Sequence, residues 1–194
     1  DTRENQLTYR KLNFDLLLSN PPFAGENPES DLLRQYELAK KEKGKMKNNV
    51  ERHILFIERT LDMLRPGGRM AIVLPQGVLN NTNMENVREY LFDKAKIIAV
   101  VGLHGNTFKP HTGTKTSVLF LQKWGEEAGE PQKDYPIFMA VSKKGGKDNS
   151  GDYVYKKGPN GEYVHDTKGR KVLDHDLDEI AEGFLKFAKK IGSI

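Results

Sequence analysis

Four short apolar runs limit what this chain can fold into: Phe14 to Leu18, Arg69 to Leu74, Ile97 to Leu103 and Ser117 to Gln122. Each is close to continuous in large aliphatic or aromatic residues, the pattern of strands buried on both faces. Two helical patterns separate the first three. Val50 to Leu64 carries Ile54, Leu55, Ile57, Leu61 and Leu64 at helical spacing and stops at Pro66-Gly67-Gly68, and Met84 to Phe92 follows an Asn-rich loop. Strand, helix, strand, helix, strand predicts an α/β fold with a mostly parallel sheet. Only a loop joins the third and fourth runs, so the last strand is expected to be antiparallel.

The segments around this frame are more polar. Gly25 to Asn49 reads as a loop with one helical turn around Leu32 to Ala39. After Trp124 the character changes. Ile137 to Val141 suits a further strand, and Tyr153 to Lys156 with Glu162 to His165 suit a hairpin about Gly158-Pro159-Asn160-Gly161. A last helix is expected from Asp178, with Ile180, Phe184, Leu185 and Ala188 on one face. The expected division is a catalytic α/β part over 1–125 and a β-hairpin and helix extension over 126–194.

Composition excludes several chemistries. None of the 194 residues is cysteine, which removes disulfide scaffolds, Cys-ligated zinc and any thiolate nucleophile, including the one needed for C5-cytosine methylation. The five histidines show no ligand spacing, so no metal is expected. No apolar run is long enough to form a membrane-crossing helix, and Asp1-Thr2-Arg3-Glu4 carries no signal pattern. The first methionine is Met46, from which a segment of a longer protein is expected. Net charge is +4, with lysine runs at 40, 41, 43, 45 and 47 and at 143, 144 and 147; these read as solvated loops and permit a nucleic-acid partner.

Asn20-Pro21-Pro22-Phe23 stands directly after the first strand, at the carboxyl edge where open α/β sheets place their sites. Each proline fixes its own φ and pushes the preceding residue into extended geometry. Asn20 and Pro21 are thereby held extended, and the Asn20 amide oxygen and Pro21 carbonyl form two rigid acceptors. Two acceptors match the two hydrogens of one exocyclic amine.

In three blocks the chain resembles the adenine-N6 DNA methyltransferases, more closely the modification (M) subunits of type I restriction-modification systems. The blocks are Phe14 to Phe23, Leu64 to Leu79, and Ile98 to Leu103 followed by Asn106-Thr107-Phe108 and Gly113-Thr114-Lys115-Thr116-Ser117. The resemblance spans Phe14 to Lys123. It implies the C-terminal half of a class I (Rossmann-like) methyltransferase sheet and methyl transfer from S-adenosylmethionine to adenine N6 of a base flipped from DNA. By the same resemblance the catalytic residues are Asn20, Pro21, Pro22 and Phe23: Asn20 and Pro21 accept from the amine, Phe23 stacks on the base, and Phe108 meets its other side.

That family binds its cofactor through a glycine-rich turn and an acidic residue ahead of the Asn-Pro-Pro block. No glycine precedes Asn20, so of the cofactor contacts only one at Asn20 is expected here. The resemblance further implies DNA, a separate specificity subunit and a restriction subunit as partners, and a cytoplasmic protein; the unpaired edge of the first strand invites self-association. Two other functions fit parts of the pattern: protein-glutamine N5 methyltransferases share an Asn-Pro-Pro-aromatic block, and the piece could be a non-catalytic DNA-binding or assembly module.

Among weaker signals, Gly113-Thr114-Lys115-Thr116 lacks the upstream glycine of a phosphate loop. Asp174, Asp176 and Asp178 imitate the start of a calcium loop but have Glu179 where glycine is required, so helix capping is expected there. Tyr153, Tyr155 and Tyr163 with Lys156 and Lys157 offer stacking and phosphate contacts, although an ordinary exposed hairpin face explains them more simply.

Overall fold

The computed structural model describes residues 12–27, 30–41, 45–125 and 128–192. In chain order the elements are β1 (Phe14–Ser19), β2 (Glu26–Asn27), α1 (Ser30–Leu33), β3 (Val50–Glu51), α2 (Arg52–Met63) and β4 (Leu64–Pro75). These are followed by α3 (Gly77–Asn80), a 3-10 turn (Thr82–Met84), α4 (Glu85–Lys94), β5 (Ala95–Gly102), β6 (Thr116–Lys123), β7 (Phe138–Val141) and α5 (Leu177–Lys190). Five strands form one sheet in the order β1-β4-β6-β5-β7, and β2 pairs with β3. β1 and β4 are parallel, with Leu17 opposite Met70 and Ser19 opposite Ile72. β6 runs against β5: Leu103 N–H donates to the Thr116 carbonyl at 2.9 Å at one end, and Trp124 N–H to the Lys94 carbonyl at 3.1 Å at the other. The antiparallel last strand expected from the short connection is present.

Two compact units divide the chain, Asp1–Val100 with Val118–Ile137 and Val101–Ser117 with Phe138–Ile194. The core of the first is built from Ile54, Ile57 and Leu61 of α2 against Ile72 and Leu74 of β4 and Leu121 of β6, all buried. Helical spacing on α2 is therefore what faces the sheet. The segment read as a loop with one helical turn contributes too: the turn lies earlier than expected, at Ser30–Leu33, and Leu33, Leu38 and Ala39 enter the core. Burial there depends on a carboxylate. Glu58 accepts from the N–H groups of Glu37 at 2.8 Å and Leu38 at 2.9 Å, satisfying donors that the chain leaves unpaired between elements. Lys47 of the first lysine run is half-buried rather than solvated, donating to the Leu38 carbonyl at 3.0 Å.

β1 departs from expectation. Phe14, Leu16 and Leu18 are 45%, 64% and 74% exposed, so this strand is not buried on both faces. It stands at the end of the sheet order, and an apolar run specifies the strand without supplying what covers it. β4 departs as well, starting at Leu64 instead of Arg69. Phe14 lies opposite Leu64 and Leu16 opposite Arg69, so two steps along β1 span five along β4 and the chain bulges at Pro66-Gly67-Gly68. Gly67 has φ +76°, and a Cβ on Gly68 would stand 2.8 Å from the Phe14 carbonyl oxygen. The Pro-Gly-Gly that reads as a helix stop also lets the two strands meet.

In the second unit, β7 joins the end of β5, where Ser142 N–H donates to the Gly102 carbonyl at 2.8 Å. The predicted hairpin is present, with Lys157 opposite Tyr163 and Gly161 at φ +86°. It belongs to a larger set of short antiparallel arms that also pairs Gly145 with His175, Lys147 with Tyr153, Tyr155 with Leu173 and His165 with Lys171. Backbone bonds close in triangles: Lys156 N–H donates to Val172, Val172 to Val164 and Val164 to Lys156. On α5 the expected face packs at Ile180, Phe184 and Ala188 but not at Leu185. Leu185 is 50% exposed, while Phe184 and Phe187 each place their rings 5.6 Å from that of Phe138. Asp176 occupies the N-cap position without capping the helix. Its carboxylate accepts instead from the Ser142 hydroxyl at 2.6 Å and the Lys143 N–H at 2.7 Å, tying the helix start to the strand end.

Candidate functional site

In the first unit, β1 delivers Asn20 to its carboxyl end, exposed, with Pro21 buried, Pro22 exposed and Phe23 half-buried. The Asn20 amide makes no hydrogen bond among the described residues. Its backbone is fixed on both sides. Before it, β1 is registered on β4 through Ser19 and Ile72. After it, Arg52 N–H donates to the Gly25 carbonyl at 3.1 Å, and Glu26 and Asn27 pair with Glu51 and Val50. Gly25 has φ +96°, with the Arg52 guanidinium 3.2 Å from where a Cβ would stand, so a residue with a side chain would be strained and crowded there.

His53 lies beneath this turn and was missed by sequence reasoning, which tested histidines only for metal-ligand spacing. It is 1% exposed, on the α2 face that also carries Ile57 and Leu61. Nε2 is 3.1 Å from the Glu51 carboxylate, and Nδ1 has no hydrogen-bond partner among the described residues. Burial pushes the ring below the ordinary histidine range, against the opposing pull of Glu51 and of the Phe23 backbone. A neutral ring packed against the Phe23 backbone gives the turn a rigid floor. The available signal was the spacing of 53, 57 and 61 on one helical face.

Phe108 belongs to the second unit, half-buried in a turn-rich segment between β5 and β6. Thr107 donates to the His104 carbonyl from its N–H at 3.0 Å and its hydroxyl at 2.8 Å, and Thr112 N–H donates to the Phe108 carbonyl at 3.1 Å. The β-rich arms clamp this segment from outside. Asn106 Nδ2 donates to the Lys147 carbonyl and to Asn149 Oδ1, both at 3.2 Å, and Lys147 Nζ donates to the Lys109 carbonyl at 2.7 Å. Asn106 and Lys147 are therefore supports of the Phe108 turn that local sequence did not reveal.

Among the described residues no cluster of three or more His, Asp or Glu side chains is arranged to hold a metal ion. What the first site presents is an exposed neutral acceptor at a strand end, followed by two prolines and an aromatic ring. Such a group can orient an amine by hydrogen bonding, and it contains no activated nucleophile.

A family model described as N-6 DNA Methylase matches residues 1–186. The Type I restriction enzyme EcoEI methylase subunit of Escherichia coli is 29% identical over 121 residues, 62% of this chain and 22% of that protein. The Defense against restriction protein B of Escherichia phage P1 is 26% identical over 119 residues, 61% of this chain and 5% of that protein. The chain thus spans less than a quarter of these curated relatives' lengths. Among solved structures, the type I restriction-modification system methyltransferase subunit from Streptococcus thermophilus superposes with TM-score 0.56 at 23% identity, covering 92% of this chain and 32% of that one. A Listeria monocytogenes protein assigned to the class I S-adenosylmethionine-dependent methyltransferases superposes with TM-score 0.55 at 21% identity, covering 67% and 37%. These likenesses establish the sheet as part of a class I methyltransferase fold, and with a match over 1–186 the chain belongs to the N-6 DNA methylase family.

Proposed function

We propose that the protein containing these residues methylates adenine N6 in DNA as the modification component of a restriction-modification system, with a separate specificity subunit and a restriction subunit as partners. The observation that carries this reading is Asn20, exposed at the carboxyl end of β1 beside the buried Pro21 and half-buried Phe23, in a turn held by β-pairing on both sides. Asn20 Oδ1 and the Pro21 carbonyl accept the two hydrogens of the adenine amine, which directs the nitrogen lone pair out of the base plane. Phe23 supplies a stacking surface for a base taken out of the duplex. Preorganised acceptors act where positive charge develops on the nitrogen, the step at which electrostatic complementarity is most effective.

S-adenosylmethionine, when bound, supplies a methyl carbon activated by its sulfonium. The described residues fit the amine end of that reaction. No glycine precedes Asn20, so these residues do not themselves supply a glycine-rich cradle for the cofactor. In the intact protein, Asn20→Ala should reduce kcat for adenine methylation about 100-fold or more while leaving S-adenosylmethionine binding, read by calorimetry, close to wild type. Near-normal adenine methylation by that variant would overturn the mechanism.

A further inference from the structure

The arms of the second unit carry an array of which only Lys147 has been given a task. Three tyrosine rings adjoin in a row: Tyr153 and Tyr155 have centroids 6.4 Å apart, Tyr155 and Tyr163 6.1 Å apart. Each has an ammonium over it. Lys147 stands 5.5 Å from the Tyr153 centroid, Lys171 is 5.5 Å from Tyr155 and 4.0 Å from Tyr163, and Lys157 is 5.6 Å from Tyr163. Tyr153 and Tyr163 are 60% and 42% exposed.

A ring beneath an ammonium orients it without neutralising it, unlike a carboxylate. Three of the nearby carboxylates are engaged elsewhere. Asp174 pairs with Lys144 at 3.0 Å and Asp166 with Arg170 at 2.8 Å, while Asp148 Oδ1 accepts from the N–H groups of Ser150, Gly151 and Asp152. Among the described residues, none of Lys147, Lys157 and Lys171 forms an ion pair. The three charges are therefore held in place without an ion-pair partner among the described residues.

Three classes of partner attract such a surface, and the geometry separates them. The core of a protein-protein interface is depleted in lysine, whereas Lys171 sits in the middle of this row. Bases of a single strand stack on open ring faces, and here each ring has a lysine ammonium within 6 Å of its centroid, competing for that face. A uniform polyanion needs only positioned cations and hydroxyl donors. We propose that Lys147, Tyr153, Tyr155, Lys157, Tyr163 and Lys171 grip the phosphate backbone of duplex DNA without reading its sequence. This rests on the reading of the protein as a DNA methyltransferase and adds a second DNA-contacting surface to it.

The test is equilibrium binding of the intact protein to a duplex lacking any target adenine, followed across a salt series, with Lys157→Gln/Lys171→Gln compared with wild type. Lys147 is left in place because it supports the Phe108 turn. Loss of two phosphate contacts should lower the slope of log K against log salt by about 1.8, equally for unrelated duplex sequences, and Lys157→Arg/Lys171→Arg should restore it. An unchanged slope would overturn the proposal. So would a loss confined to single-stranded DNA, or a loss of binding to another subunit with duplex affinity intact. The outcome is independent of the catalytic reading: full methylation by Asn20→Ala together with a reduced salt slope in the lysine variant would refute the mechanism at Asn20 and leave this surface standing.

Discussion

Lys147 Nζ donates to the backbone carbonyl of Lys109 at 2.7 Å across 38 positions of sequence. With Asn106 bonded to the Lys147 carbonyl, this makes the β-rich arms a mount for the turn that carries Phe108. An extension that reads as an appendage in sequence thus has a structural task within its own unit: holding a candidate base-contacting ring.

Gly151 sits at the tightest point of that mount. It has φ +97°, and a Cβ there would stand 2.6 Å from the Pro110 nitrogen. Gly151→Ala should destabilise by about 1–3 kcal/mol through backbone strain alone, with the clash adding to it. Gly161, at φ +86° with nothing within 4 Å of an added methyl, provides the comparison. Gly161→Ala should cost only the strain, so the difference between the two urea midpoints measures the contact with Pro110; equal midpoints would show that the contact contributes nothing.

Gly68→Ala tests the bulge that joins β1 to β4. The added methyl would meet the Phe14 and Arg65 carbonyl oxygens at 2.8 and 2.9 Å, and backbone cannot rotate away as a side chain can. Destabilisation of about 1–3 kcal/mol is expected, and hydrogen exchange should accelerate first in Phe14–Ser19. Unchanged protection of β1 would contradict the register.

His53 makes stability fall with acid. Its pKa is lowered in the folded protein, chiefly by burial, so the unfolded chain binds the proton more readily. The stability it contributes is present above the ordinary histidine value and is lost as pH falls through the folded one. His53→Gln should flatten the dependence of unfolding free energy on pH below about 6.5. An unaltered slope would remove His53 from the account.

Glu58 has the opposite sign. Burial raises its pKa, partly offset by the hydrogen bonds from Leu38 and Glu37, and a raised carboxyl contributes stability that is lost as pH rises from the ordinary glutamate range through the folded value. Glu58→Ala should nonetheless destabilise at neutral pH by about 1–3 kcal/mol, because the buried Leu38 N–H would lose its acceptor. Thermal unfolding at neutral pH checks this: a stabilised variant would show that the cost of burying the charge outweighs those two hydrogen bonds.

The strands and helices around the α/β sheet were legible in the sequence because each follows from a local pattern. Ile54, Ile57 and Leu61 recur with the helical period, the run from Ile97 is β-branched, and Asn160-Gly161 turns a hairpin whatever lies beyond it. The Asn-Pro-Pro-Phe block was legible for the same reason, since the constraints that proline places on its neighbours act over adjacent residues. What covers β1, where the bulge in β4 falls, that Phe187 of α5 packs while Leu185 does not, and what engages Asp176 were not. Each of these depends on a partner tens of residues away: Phe14 on Leu64, Phe138 on Phe187, Ser142 on Asp176. The sequence by itself determined the main elements, their order and the Asn-Pro-Pro-Phe turn at the end of β1, all of which arise from short-range backbone preference and periodicity. Only the tertiary structure decided that His53 underlies Phe23 and that Lys147 holds the Phe108 turn, because hydrogen bonds and burial between distant segments exist only once the chain has closed on itself.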